Sequence, residues 1–166
     1  MNYYKALNKQ EFSNGNFSIV PIRYEDRLDI MKWRNEQIFH LRQNKPLTLE
    51  NQENYFNNVV NKLFIKEQPN QLLFSYLENG KCIGYGGLVH INWIDNNAEI
   101  SFIMNTELEK DYFHFHWITY LGFIEQLAFE QLGLHKIFIY AFDLRPHLYS
   151  TVEVAGFAKE AVFREH

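Results

Sequence analysis

Apolar and polar positions alternate first in "FSIVPIR", which predicts a strand over 17–23 with Pro21 at an edge or strand end. The next stretch, "YEDRLDIMKWRNE", has acids at its start and apolar Leu28, Ile30, Met31 and Trp33, the pattern of a short helix. Further on, Phe56, Val59, Val60, Leu63 and Phe64 recur at the spacing of one buried helical face, with Thr48 placed to cap the helix and Glu50 in its first turn. "KEQPN" ends that helix. Three apolar runs then predict antiparallel strands over 71–78, 81–92 and 97–104, separated by an Asn79-Gly80 hairpin turn and by "WIDNN". "GYGG" inside the second run signals a bulge or a close backbone approach. Trp117, Leu121, Ile124, Ala128 and Leu132 share a face of a helix predicted over 114–132, closed by Gly133. A strand at His135–Phe142, a helix from Pro146 to the Gly156 cap, and the start of another strand in "AKEAVFREH" complete the pattern.

The order β, α, α, three antiparallel strands, α, β, α, β predicts a mixed α+β sheet, not a doubly wound one. Residues 1–16 read as an N-terminal leader and 17–166 as one domain. With 46% hydrophobic and 17% aromatic residues the chain has ample material for a core. The net charge of -4 comes without a basic stripe, which argues against nucleic acid as a partner. No apolar run approaches the roughly 20 residues of a membrane span, and "MNYYKALNKQEF" has no signal-peptide pattern. The single cysteine, Cys82, can form no internal disulfide, which fits a cytoplasmic protein.

Chemistry concentrates in "AEISFIMNTELEKDYFHFHW", Ala98 to Trp117, where a strand runs through a polar loop into an amphipathic helix. Free N–H groups and the dipole at such a helix start favour an anion. The loop contains no glycine, the residue that lets backbone approach a phosphate closely. His114 and His116 invite a metal reading, but they lie two apart at a helix start with no third ligand of suitable spacing, so no metal is expected.

Three stretches together resemble the GNAT superfamily of acetyl-CoA-dependent N-acetyltransferases: "FSIVPIRYEDRLDIMKWRNE", "CIGYGGLVHINWIDNNAEISFIM" and "LGLHKIFIYAFDLRPHLYSTVEVAGF". The resemblance covers about 17–166 and is nearest to the branch of bacterial enzymes acting on ribosomal-protein N-termini and on sugar nucleotides. It implies a GNAT fold, a mostly antiparallel central sheet flanked by helices, lacking the family's final strand. It also implies acetyl-CoA as co-substrate, held in a V-shaped gap between the strands of "AEISFIM" and "HKIFIYAF". Phe102, Ile103 and Met104 would pair with the pantetheine arm, and Lys110, His114, His116, Asp143 and Arg145 would lie at the phosphate end. Val152 stands where many relatives carry tyrosine, and Arg145 near their asparagine.

The same resemblance makes Glu99 the candidate general base and Tyr149 the candidate acid that protonates the leaving thiolate. Trp33, Arg34, Asn35, Arg42, Tyr85 and His90 would line the acceptor side, with Arg34 or Arg42 suited to a diphosphate. The implied partner is a small-molecule amine, foremost the amino sugar of a nucleotide-sugar in surface-polysaccharide or flagellin-glycan synthesis, and a homodimer is allowed. Three readings compete: acetylation of a protein N-terminus, use of a different acyl-CoA, and a GNAT-like binding module without catalysis.

Overall fold

The computed structural model describes residues 2–141 and 144–163. Its six-stranded sheet follows chain order: β1 (Phe12–Asn14), β2 (Phe17–Pro21), β3 (Leu72–Glu78), β4 (Lys81–Asn92), β5 (Asn97–Met104) and β6 (Lys136–Phe138). The first five strands pair antiparallel and β6 joins β5 in parallel. The helices are α1 (Arg27–Glu36), α2 (Leu49–Tyr55), a short α3 (Asn61–Leu63), α4 (Thr106–Asp111), α5 (Phe113–Glu125) and α6 (Pro146–Val154). This is the expected mixed α+β architecture. Among the described residues, no helix is long and apolar enough to cross a membrane.

The segment expected to be a leader belongs to the fold. Its Phe12–Asn14 forms β1, and Tyr4 is 1% exposed, donating to the Leu73 carbonyl at 2.6 Å and stacking on Phe64. The hairpin at Asn79-Gly80 forms with positive φ at both residues (51° and 81°), as a two-residue turn requires. Thr48 and Asn51 make a reciprocal capping box at the start of α2.

Both long helical faces deviate from a regular period for one reason. A π-helical segment at Phe56–Val60 joins α2 to α3, and another at Gln126–Gln131 extends α5. The wider turn rotates later residues around the axis. Val59 therefore emerges to 39% exposure, and Leu132 is only partly buried against the core.

Gly86 and Gly87 are both required. A Cβ on Gly86 would lie 2.0 Å from the Ser101 carbonyl oxygen and 2.5 Å from the Tyr120 hydroxyl, and one on Gly87 1.9 Å from the Leu72 carbonyl. The space left by Gly86 lets Tyr120 of α5 reach across and donate to the Ser101 carbonyl at 2.6 Å, its ring stacked on Phe102 at 3.8 Å. Bare Gly86 thus lets α5 dock closely beneath β5, while bare Gly87 lets β3 approach β4. Of the strand expected over His135–Phe142, Lys136–Phe138 pairs with the sheet, and Phe142 lies outside the described residues. The strand expected to begin in "AKEAVFREH" does not form within 158–163, because that segment makes no ladder with the sheet.

Candidate active site

Among the described residues, β6 pairs with β5 at Asn97↔Lys136, Ala98↔Ile137 and Glu99↔Phe138. Beyond Glu99 the two chains separate, so among the described residues the outer edge of β5 from Ile100 to Met104 has no strand partner. Asn105 N–H donates to the Ile83 carbonyl on the β4 side at 2.8 Å. By alternation, Ile103 turns its backbone groups to β4, while Phe102 and Met104 turn theirs to the open edge. One of these is already engaged, since Gln37 Nε2 donates to the Met104 carbonyl at 2.7 Å. Of the three residues expected along a pantetheine arm, Phe102 and Met104 present backbone to the gap and Ile103 does not.

Glu99 sits where the strands part. Its side chain is 14% exposed, and Arg42 Nη2 lies 3.5 Å away. The Arg42 guanidinium also covers the Tyr140 ring at 4.2 Å, so one arginine spans both arms of the fork. Arg34 reaches the same sheet face further along. It donates to the Tyr85 hydroxyl and to Gln43 Oε1, and Tyr85 is the register partner of Ile103. Asn35 instead shapes the α1–α2 connection, exchanging hydrogen bonds with both backbone groups of Leu47 and accepting from Gln43. Trp33 is core, at 4% exposure. His90 is exposed at a positive-φ position in the β4 irregularity.

The helix expected over 114–132 begins at Phe113, and a second, short helix, α4, occupies the polar loop before it. α4 is capped by Asn105 and carries Glu107 and Glu109 in its first turn, a poor place for an anion. α5 then starts anew at Phe113 with no side-chain cap. Around that second start stand Lys110, His114, Arg145 and His147. Lys110 is exposed and pairs with Glu107 at 3.6 Å, and His114 Nδ1 lies 3.3 Å from Thr151 Oγ1. His147 packs on the Phe113 ring at 4.3 Å. Arg145 makes a 2.8 Å ion pair with Glu109, the two side chains only 12% and 15% exposed, and its guanidinium lies 5.7 Å from the Phe113 ring. This pair joins the element that follows β5 to the one that precedes α6, across the opening of the fork.

His116 does not belong to this rim. It is 4% exposed, bonded to the Tyr76 hydroxyl at 2.9 Å beneath the sheet, and burial lowers its pKa. The helical period explains the split, since residues two apart point to different sides. On α6, Leu148, Thr151 and Val152 pack inward, so Val152 is a core residue while Tyr149 is half-buried beside that face. Asp143 lies outside the described residues. Among the described residues, no group of three His, Cys, Asp or Glu side chains could hold a metal ion.

The structure adds two residues that the pattern did not single out. Gln37 is 1% exposed and bridges Met104 and Thr106, with His40 beside it. Glu109 is the counter-ion of Arg145. A polar residue buried at a helix end leaves no mark in apolar periodicity, so nothing in the sequence points to Gln37.

An open strand edge, a carboxylate at the fork and cations beyond the strand end can hold an extended, amide-bearing, phosphate-terminated ligand beside an amine. No curated protein matches the chain in sequence. Among solved structures, spermidine N-acetyltransferase from Vibrio cholerae in complex with CoA and spermine has a TM-score of 0.76 at 20% identity, over 89% of this chain and 84% of that one. A dodecameric structure of spermidine N-acetyltransferase from Vibrio cholerae in an intermediate state has a TM-score of 0.71 at 21% identity, over 89% and 82%. At these identities the likeness is one of fold. The Acetyltransferase (GNAT) domain family matches residues 19–166, so the chain belongs to the GNAT acetyltransferases, enzymes that use acetyl-CoA as co-substrate.

Proposed function

We propose that this acetyltransferase acts on a primary amine of a small, phosphate-bearing acceptor, an amino sugar carried on a nucleotide. The observation that carries this reading is Arg34. Its guanidinium is held on the acceptor face by a phenol and an amide, with no carboxylate paired to it among the described residues. A partly buried cation with only neutral partners favours an anion, and its fork geometry suits phosphate oxygens.

Acetyl-CoA supplies the acetyl group as a thioester. Backbone groups of Phe102 and Met104 at the open edge of β5 would bind its arm, and Arg145 would serve its pyrophosphate at the start of α5, exchanging Glu109 for phosphate. Glu99 takes a proton from the acceptor ammonium, directly or through one water, and Arg42 keeps that carboxylate at the fork. The amine then attacks the carbonyl carbon as the C–S bond breaks. Tyr149 gives the departing sulfur its proton.

A second reading is a polyamine acceptor. It is favoured by the spermine-bound structural neighbour and by the half-enclosed Glu99. Thiol release from acetyl-CoA, measured with a nucleotide-linked amino sugar, spermidine and an N-terminal peptide in parallel, separates the readings. The nucleotide-linked amine is expected to be preferred, and Arg34→Gln to raise its KM about 10- to 100-fold, the weight of a charge-assisted hydrogen bond. Preference for spermidine, with KM indifferent to Arg34→Gln, would replace the nucleotide reading with the polyamine one. The number of copies in the assembly follows from sedimentation of the same sample.

A further inference from the structure

We infer that His40 holds the pantetheine arm of acetyl-CoA, accepting a hydrogen bond at Nδ1 from an amide N–H of that arm. The inference rests on the cofactor placement proposed above and extends it to a side chain on the opposite wall.

The protonation of His40 follows from its neighbours. Gln37 Nε2 donates to the Met104 carbonyl at 2.7 Å and to Thr106 Oγ1 at 3.2 Å. Thr106 Oγ1 can accept because its own proton goes to Glu36 Oε1 at 2.9 Å. The Gln37 amide is therefore oriented, and its Oε1 faces His40 Nε2 at 3.1 Å. An amide oxygen only accepts, so Nε2 carries the proton. Burial, with Arg145 and then His147 nearby, pulls the His40 pKa down to about 4. The neutral ring has one N–H and has already used it, which leaves Nδ1 a bare acceptor. Nδ1 is buried and has no hydrogen-bond partner among the described residues. A buried acceptor without a donor forfeits its solvation, and such groups are normally matched.

The chemistry of the missing partner is narrow. Phosphate oxygens are acceptors and would be repelled by the lone pair, so the donor must be an N–H or O–H. The acceptor amine at Glu99 is too far. Gln37 ties the ring to Met104, five positions beyond Glu99, and five residues of strand span about 17 Å. A ligand running along the open edge of β5 from Glu99 toward Arg145 passes the ring before it reaches Arg145, and the pantetheine arm that precedes the pyrophosphate carries two secondary amides.

Nitrogen resonances of isotope-labelled histidine in the whole protein test this. Coenzyme A and pantetheine are expected to move the His40 Nδ1 signal from its bare position toward the hydrogen-bonded one, and ADP, which lacks the arm, to leave it in place. His40→Phe is expected to weaken coenzyme A binding about 10-fold in calorimetry, with ADP binding unchanged. A stationary Nδ1 signal with coenzyme A demonstrably bound would overturn the inference while leaving the cofactor site intact. Failure of coenzyme A to bind at all would overturn the cofactor placement and this inference with it. If His40→Phe does not fold, the wild-type resonance alone decides.

Discussion

Replacing Glu109 by glutamine should strengthen coenzyme A binding. In the structure Arg145 is satisfied by Glu109 at 2.8 Å, with both side chains about seven-eighths buried. A pyrophosphate that takes Arg145 must first release it from that carboxylate. Charge-assisted hydrogen bonds of this kind contribute about 1.5–3 kcal/mol. The competing pair therefore costs the ligand a factor of about 10 to 100 in affinity. Glutamine keeps the shape and can still touch Arg145, but it removes the charge, so the expected gain lies toward the lower end, about 10-fold. Calorimetric titration of wild type and Glu109→Gln with coenzyme A reads the gain directly, and pantetheine is the control because it has no pyrophosphate. An increase for coenzyme A and none for pantetheine supports the exchange. Equal or weaker coenzyme A binding in a folded Glu109→Gln variant refutes it, and would make the pair a plain brace between α4 and α6.

Three further outcomes follow from the geometry. Glu99→Gln should lower kcat about 100- to 10,000-fold, the usual weight of a general base, while leaving coenzyme A affinity within about 2-fold; full turnover would remove Glu99 from the chemistry. Gly86→Ala should cost about 3 kcal/mol or more, because its methyl would sit 2.0 Å from the Ser101 carbonyl and displace Tyr120. In a chain of this size that is a fall of about 6–12 °C in melting temperature, and an unchanged melt would contradict the close approach. Stability should also decline on acidification: the pKa of His40 is about 4 and that of His116 is lowered, both below the ordinary value of about 6.5. The unfolded chain then binds protons first. The contribution is complete above about pH 6.5 and is lost as pH falls below it, levelling off for His40 near 4. Urea melts from about pH 8 to pH 5 should show the drop, and His40→Phe should flatten part of it.

Much of the fold is legible in the sequence because its signals are local. Asn79-Gly80 needs no tertiary context to form a hairpin, and Thr48 with Asn51 closes a capping box on its own. The three central strands run close to their expected bounds because each is bracketed by turn residues. β1 is not legible because three residues carry no readable period, and its place depends on Tyr4 and Phe12 packing against β3. The π-helical segments are hidden because they insert a residue without changing composition. At the site, Arg42 lies 3.5 Å from Glu99, a pairing that no local pattern in the sequence indicates. The phosphate end is not legible in the same way. Whether a histidine in "HFHW" faces solvent or core depends on where α5 begins, and the break at Tyr112 sends His114 to the rim and His116 inward. The glycine-free stretch also has a structural sense, since most of it folds as α4, and α5 begins after it without a side-chain cap.

We propose that the open edge of β5 and the uncapped start of α5 together bind acetyl-CoA. Calorimetric titration of the folded protein with acetyl-CoA tests it most directly. Binding in the micromolar range, abolished or weakened at least 10-fold by Arg145→Gln, is the predicted result; no heat at millimolar ligand on a folded chain would contradict it.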